Sequence, residues 1–366
     1  MKTDRSSKNC SVKLMAACLT TLAMLAGPTA ASAQGSLTPP GAPAPTFKTL
    51  HQVEPRADVQ RLPGDATSLY IISAPGSYYL TTNVLGVPGK HGISIRASDV
   101  TLDLNGFAVL GGAGTLDGIT VLGARSNVEI RTGNIEGWSG DGVNSAASVS
   151  ECRFVNLRSA SNGGNGFNLG PRSVVSECQA ATNRFNGVRI ASGIVKNCTT
   201  TGNGTATNPP AIGAHGIFII GAGSTDGDVV KDCVAGYNFL DGINVAVAAP
   251  GKGATISDCV AKGNLSDGIE VANHCFIRGN TVLDNTVVGI HVAGMGTGNR
   301  IEENHVALHP TGYLLDPMTM GNLVIKNSSQ GNAVGYLAPA GNHVAVIVVA
   351  PGLGFAAPSP WTNFEY

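Results

Sequence analysis

Short runs of alternating apolar and polar residues fill most of this chain, and the runs repeat. Ile256 to Val271 reads ISDCVAKGNLSDGIEV. The stretch before it, Val230 to Val245, reads VKDCVAGYNFLDGINV, and the one after it, Ile277 to Val292, reads IRGNTVLDNTVVGIHV. The shared pattern is an apolar residue, two polar residues, Cys or Asn, a small apolar residue, an Asn, and then Gly-Ile/Val-x-Val. Period-two alternation predicts short strands, and the Asn and Gly positions predict bends between them. A unit this short has no second layer to bury its apolar face, so it must stack on its neighbours.

The period is countable. The Gly of this step, or of its Phe and Tyr variants, falls at Gly92, Gly118, Gly142, Gly166, Gly187, Gly216, Gly242, Gly268, Gly289 and Gly312. The intervals are 26, 24, 24, 21, 29, 26, 26, 21 and 23 residues. Their mean of about 24 suits one coil of a parallel β-helix and is too short for a helical-hairpin repeat. The Leu-x-x-Leu-x-Leu pattern of leucine-rich repeats is absent. The expected architecture is all-β, a single-stranded right-handed parallel β-helix of about ten coils. At a strand spacing of about 4.8 Å the stack is about 48 Å long. Right-handedness is expected from the chirality of crossovers between parallel strands.

Composition agrees with this picture. Charged residues are 13% of the chain and Gly number 49. No amphipathic helix is recognisable past residue 35. Residues 1–33 read as a secretory signal peptide. Lys2, Arg5, Lys8 and Lys13 precede the apolar run Leu14 to Gly27, and Ala31-Ser32-Ala33 offers a small-residue cleavage site. Met15-Ala16-Ala17-Cys18 resembles a lipobox only faintly, because it precedes most of the apolar run. Residues 34–66 form a Pro-rich linker, residues 67–330 the β-helix, and residues 331–366 a C-terminal capping segment with Val344 to Val349 as a final strand. The mature chain is expected to be secreted, periplasmic or on the cell surface, with no transmembrane segment. Removing the signal takes away four basic residues and Asp4, so 23 − 4 = 19 basic residues face 24 − 1 = 23 acidic ones. That balance offers nucleic acid no electrostatic attraction.

The run Pro75-Gly76-Ser77-Tyr78-Tyr79-Leu80, then Gly92-Ile93-Ser94-Ile95 and Val100-Thr101-Leu102-Asp103-Leu104-Asn105-Gly106, resembles the opening coils of secreted bacterial right-handed parallel β-helix proteins. These are the pectate-lyase-like and nitrous-oxide-accessory-protein-like repeats. The ending Pro360-Trp361-Thr362-Asn363-Phe364-Glu365-Tyr366 resembles a closing motif of the same group. The resemblance covers roughly residues 36–366. It implies the fold, while the many activities hosted on that fold leave function to the site.

Two ladders run through the repeats. One is Cys152, Cys178, Cys198, Cys233 and Cys259, continued by Asn280, Asn304 and Ser328; Cys275 lies outside it. Export permits disulfides, but strands stacked in register rarely offer the Cβ geometry that a bridge needs. The reading is therefore free thiols stacked in the interior, with a disulfide or a metal site as alternatives. Asn183, Asn203, Asn238, Asn264 and Asn285 form the second ladder, read as amides bonding one another at a bend. Coil length varies mostly at Gly202 to Ala214, Gly221 to Asp228 and Ala248 to Ala254, insertions placed to wall a groove.

Candidate chemistry lies on a polar stripe. The x residues of Gly-Ile-x-Val are Ser94, Thr120, Asn144, Asn168, Arg189, Phe218, Asn244, Glu270 and His291. Those before the Gly are His91, Asp117, Asp141, Asn165, Asn186, His215, Asp241, Asp267 and Val288. Asp241 and Asp267 fall on adjacent coils with Cα atoms about 5 Å apart. Carboxylates that close can separate in pKa, as acid–base work on a glycosidic bond requires. They also suit routine Asp-Gly turns whose charges are simply solvated. Glu270 sits beside His291, with Arg189 further along. Asn244, Phe218 and Trp138 are candidate ligand-binding residues, Trp138 either stacking on a sugar ring or packing in a loop. Asp226 and Asp228 are two carboxylates suited to Ca²⁺ or to a turn. No cofactor is required by the pattern, and Ca²⁺ is the one cation it accommodates.

Two classes of function remain open. One is a non-catalytic glycan-binding or structural surface protein. The other is a polysaccharide-active enzyme, a lyase or epimerase before a glycoside hydrolase, using Asp241, Asp267, Glu270, His291 and Arg189. The acidic Ca²⁺ cluster facing Lys and Arg of pectate lyases, and the Asp-rich signature of polygalacturonases, are not found at matching positions.

Overall fold

In a computed structural model the described residues are 56–366, except 146–147, 206–212, 222–226, 247–252 and 350–358. The signal peptide, most of the linker, Asp226 and most of the three insertions lie outside them. The described chain is a parallel β-helix. Each turn contributes one strand to a twelve-stranded parallel sheet, and most turns contribute two more to a 24-stranded array. One repeat shows the plan: strand Ala254–Ser257, a bend, strand Val260–Lys262, a second bend, and strand Ile269–Val271. Ile256, Ala261, Ile269 and Val271 point inward and are buried, which is the apolar alternation of the sequence made into a core. Among the described residues no helix is long and apolar enough to cross a membrane.

The bends have one cause. The residue before each position adopts left-handed backbone in both ladders, as at Asp232 (φ 52°), Asp258 (φ 57°), Glu303 (φ 58°) and Lys326 (φ 56°) in the first and Thr182 (φ 53°), Tyr237 (φ 58°) and Asp284 (φ 52°) in the second. Such a conformation costs a non-glycine residue about 1–2 kcal/mol. Ladder bonds offset that cost. Asn264 Oδ1 accepts the Asn238 backbone N–H at 3.0 Å and Asn238 Nδ2–H at 2.9 Å, while Asn264 Nδ2 donates to Ala235 O at 3.1 Å. The same pattern joins Asn162, Asn183, Asn203, Asn238, Asn264 and Asn285, so every buried amide is satisfied by the turns on either side. The recurring Gly is required by this ladder. A Cβ on Gly242 would stand 2.7 Å from both Asn264 Nδ2 and Gly268 O.

The six cysteines among the described residues are free and buried, each donating its thiol to the carbonyl two residues back, as Cys233 Sγ does to Lys231 O at 3.2 Å. The ladder continues through Asn280 and Asn304 to Asn327, not Ser328. Asn304 donates its backbone N–H to Asn327 Oδ1 at 3.0 Å, and the left-handed residue is Lys326, which places Asn327 at the bend. Cys275 heads a third ladder: its N–H donates to Asn299 Oδ1 at 2.8 Å, and Asn299 in turn bonds Asn322.

Strand pairing begins within the stretch expected as linker. Ala57–Asp58 pairs with Tyr78–Tyr79, and the buried Val59 anchors the segment. At the other end Val334–Leu337 completes the twelve-stranded sheet. The strand Asn363–Glu365 pairs with both Ser328–Ser329 and Ile347–Val349, covering an edge that would otherwise remain open.

Candidate functional site

The residues before the recurring glycines are not solvated turn residues. They form a hydrogen-bonded ladder at the edge of the twelve-stranded sheet. Asp117 Oδ1 accepts the Asp141 N–H at 2.8 Å, Asp141 Oδ1 accepts the Asn165 N–H at 2.6 Å, and Asn165 Oδ1 accepts the Asn186 N–H at 3.2 Å. Asn186 Oδ1 accepts the His215 N–H at 3.1 Å. Further on, Asp241 Oδ1 accepts the Asp267 N–H and Asp267 Oδ1 the Val288 N–H, both at 3.0 Å. Asp241 and Asp267 are each only 3% exposed, which overturns the expectation of outward, solvated charge.

The two carboxylates are partnered separately. Each faces its own imidazole. His215 Nδ1 lies 3.0 Å from Asp241 Oδ2, and His291 Nδ1 lies 2.7 Å from Asp267 Oδ2. Burial pushes the Asp241 carboxyl up. His215, together with side-chain bonds from Asn244 and Ser266, outweighs this and holds it below the ordinary value. Asp241 is therefore an ionised carboxylate inside the wall of the site.

The x residues line up across the sheet. Arg189, Phe218, Asn244, Glu270 and His291 are successive register partners. Arg189 and Glu270, three strands apart, have Cα atoms about 14 Å from each other. Arg189, His215, Phe218, Asp241, Asn244 and Glu270 line one cleft of about 700 Å³, with Phe185 and Leu240 among its apolar wall residues. That volume is within the range of small-molecule and oligomer sites. Arg189 Nη1 is oriented by Asn168 Oδ1 at 2.7 Å, and Asn244 Nδ2 donates to Asp241 Oδ2 at 2.8 Å.

Glu270 differs from its neighbours. Among the described residues no hydrogen bond reaches its carboxyl group. Burial raises its pKa, as does the charge of Asp241 and, further down, that of Asp267, against the opposing charges of His291 and His215. It is a carboxyl group able to hold a proton nearer to neutrality than a free glutamate does, placed in a cleft.

His291 is bound on both sides, with Nδ1 against Asp267 and Nε2 3.0 Å from Asp316 Oδ1. Burial pushes its pKa down, but the bonds to Asp267 and Asp316 and the charge of Glu270 carry it up to about 9. One donor atom each from Asp267, Glu270 and His291 lies within 4.8 Å of the others, the spacing of a divalent-cation site. With both ring nitrogens engaged by carboxylates, the imidazolium itself supplies the positive charge there. Ca²⁺ prefers an all-oxygen shell, which this set does not offer.

The remaining sequence candidates divide. Arg189, Phe218, Asn244, Asp241 and Glu270 come together in the cleft; Asp267 and His291 form the ion-paired group beside it. Trp138 does not join them. It is 1% exposed, donates Nε1–H to Val109 O at 2.9 Å, and packs against Gly92 and Gly118, leaving no face for a sugar ring. Asp228 Oδ1 accepts the Gly193 N–H at 2.6 Å, a structural bond. His215, Phe185 and Asp316 were not singled out from the sequence. His215 carried the clearest signal, an imidazole one coil from Asp241 in a column made mostly of Asp and Asn.

Comparison with known proteins agrees with the architecture. The family model described as a right handed beta helix region matches residues 141–306, which contain the cleft. The A-module of the mannuronan C-5 epimerase AlgE6 of Azotobacter vinelandii superposes with a TM-score of 0.56 at 15% identity, over 81% of this chain and 100% of that one. The A-module of the mannuronan C-5 epimerase AlgE4 of the same organism gives 0.52 at 14% identity, over 79% and 100%. At these identities the likeness is one of fold. No curated protein matches the sequence.

Proposed function

We propose that this chain is an exported parallel β-helix protein that binds an acidic polysaccharide along the cleft of the twelve-stranded sheet. The observation that carries this reading is the cleft itself. It combines a cation, Arg189, with the aromatic rings of Phe185 and Phe218, on a wall whose amides Asn165, Asn186 and Asn244 are held in place by bonds to Asp141, Asn165 and Asp241. Aromatic faces receive the apolar side of a sugar ring, and a guanidinium receives a uronate carboxylate through two parallel bonds. The test is binding of the purified protein to uronate-containing and neutral polysaccharides, each with Ca²⁺ and with a chelator, followed by calorimetry. Uronate chains should bind, and Arg189→Ala should weaken them by about 10-fold or more, the value of a charge-assisted bond. Preference for neutral chains, or binding indifferent to Arg189, would refute the reading.

A second reading is favoured by Glu270. A glycoside hydrolase needs two available carboxyl groups. Of the two acids lining the cleft, Asp241 is committed to His215, Asn244 and the Asp267 N–H. One carboxyl with a raised pKa and no partner nearer than His291 Nδ1 at 3.9 Å, in a cleft that also holds Arg189, suits proton transfer at a uronate, as in a lyase or epimerase, better than hydrolysis. Appearance of the unsaturated product by absorbance, lost in Glu270→Gln, supports it. Reducing ends without that absorbance would point to hydrolysis instead.

A further inference from the structure

The ladder before the glycines changes character once it enters the cleft. Asp141, Asn165 and Asn186 each present an oxygen to the next coil's backbone N–H. At His215 the ladder residue is an imidazole, and its buried Nδ1 has no in-line hydrogen bond. Nδ1 nevertheless stands 3.0 Å from Asp241 Oδ2. Before substrate binds, catalytic hydrogen bonds are often out of line. The other His of the column, His91, also has Nδ1 near its acid, 3.4 Å from Asp117 Oδ2, but that nitrogen accepts the Asp117 N–H at 3.1 Å and so serves the ladder. His215 is 9% exposed, its ring lies against Phe218 with centroids 4.9 Å apart, and it lines the cleft together with Arg189 and Glu270. With Nδ1 against Asp241, Nε2 is the nitrogen on the opposite edge of the ring.

We propose that His215 is the base that removes the proton alpha to the carboxylate of a uronate bound in the cleft, and that Asp241 is the positioning residue that orients it. This rests on the proton-transfer reading of the same cleft. A carboxylate behind Nδ1 keeps the proton on that nitrogen and leaves the Nε2 lone pair free. Nε2 takes the C5 proton, and the C–H electron pair moves into an enolate on the uronate carboxyl group, opposite the Arg189 charge. The enolate collapses to a C4–C5 double bond, the C4–O4 bond breaks, and the leaving oxygen takes the Glu270 proton. His215 has gained one proton and Glu270 has lost one; exchange with water restores both. No oxidant or reductant enters the step.

The ladder supplies variants that keep the fold, because Asn already occupies this column at positions 165 and 186. In deuterated buffer the full protein is given a uronate polysaccharide, and C5 exchange and unsaturated product are followed by NMR. His215→Ala should lower kcat/KM by about 10²–10⁴-fold, leave chain binding within about twofold, and regain rate on addition of imidazole. Asp241→Asn should lower kcat with KM unchanged. His215→Asn, which fits the ladder, serves if His215→Ala does not fold. Wild-type rates in either His215 variant overturn the assignment. So does loss of binding together with rate, or a rate that imidazole does not restore. Wild-type protein that binds uronate chains but shows neither exchange nor product overturns both this assignment and the proton-transfer reading, and leaves the binding reading standing.

Discussion

The ion-paired His291 makes stability depend on pH in a direction that can be worked out. Its pKa rises from an ordinary 6.5 to about 9 in the folded chain, because Asp267 and Asp316 hold its two nitrogens at 2.7 and 3.0 Å. Between those values the folded protein carries one proton that the unfolded chain has released. The stabilisation is therefore fully present below pH 6.5 and is lost as pH rises toward 9. At about 1.4 kcal/mol for each pH unit, a gap of about 2.5 units gives about 3 kcal/mol in all. The buried thiols, Cys198 and Cys233 pushed up to about 12 by neighbouring thiols and burial and Cys275 up to about 11 by burial, also favour unfolding near pH 9, but equally in wild type and variant, so the comparison cancels them. The assay is urea denaturation at intervals from pH 6 to 9.5, comparing wild type with His291→Gln. The wild type should lose about 3 kcal/mol relative to the variant across that range. Parallel curves, or a difference that grows with pH, would refute the arrangement.

Three shorter predictions test the rest of the fold. Asn264→Ala leaves the Asn238 N–H without its acceptor in the core and should cost about 3 kcal/mol in urea denaturation; an effect like that of the exposed Leu265→Ala would refute the ladder's role. Trp138→Ala should destabilise by about 3–5 kcal/mol through the cavity it leaves, with polysaccharide affinity unchanged in calorimetry. Cys152, Cys178, Cys198, Cys233, Cys259 and Cys275 should react with a thiol reagent only at the rate of unfolding, with no disulfide found by mass spectrometry under non-reducing conditions.

The fold was legible because a solenoid repeats its own evidence. The apolar alternation and the spacing of Gly92 to Gly312 gave both strands and period, and each close contact behind Gly242 recurs in its neighbours. The shift from Ser328 to Asn327 was not legible, since Asn-Ser offers two small polar residues and only the left-handed backbone at Lys326 decides between them. The site was half legible. Register alone placed Arg189, Phe218, Asn244 and Glu270 on one line, because every strand pairs in parallel without a slip there. What sequence cannot show is which polar residues are already spent on their neighbours. Asp241 and Asp267 looked like a free acidic pair and are bonded in place; His215 looked like one more polar residue of the column and stands 3.0 Å from a carboxylate 26 residues away. Trp138 shows the reverse: an indole N–H satisfied by Val109 O makes the residue a core member, a fact carried by tertiary contact alone.

In a structure built from ladders, chemistry is expected where a ladder leaves a group over. Along the outward row, Asn144 bonds Asp117, Asn168 bonds Asp141 and Asn244 bonds Asp241, so Asn in this row is matched to the acid beside it. Glu270 breaks that series. It brings a carboxyl group close to Asp241 and Asp267, where a structural residue would have brought an amide, and burial first, then those charges, raise its pKa. An acid whose pKa is raised by folding opposes stability once the pH exceeds its unfolded value, near 4.5, and is neutral in effect below it. Glu270→Asn should therefore melt higher than wild type at pH 7, with the gain vanishing below pH 4.5, and should lose any turnover of uronate chains. A site kept at the expense of stability is what function requires. Should the variant melt at or below the wild-type temperature at pH 7, Glu270 would belong to the architecture like its neighbours, and the reason for placing chemistry at that position would be gone.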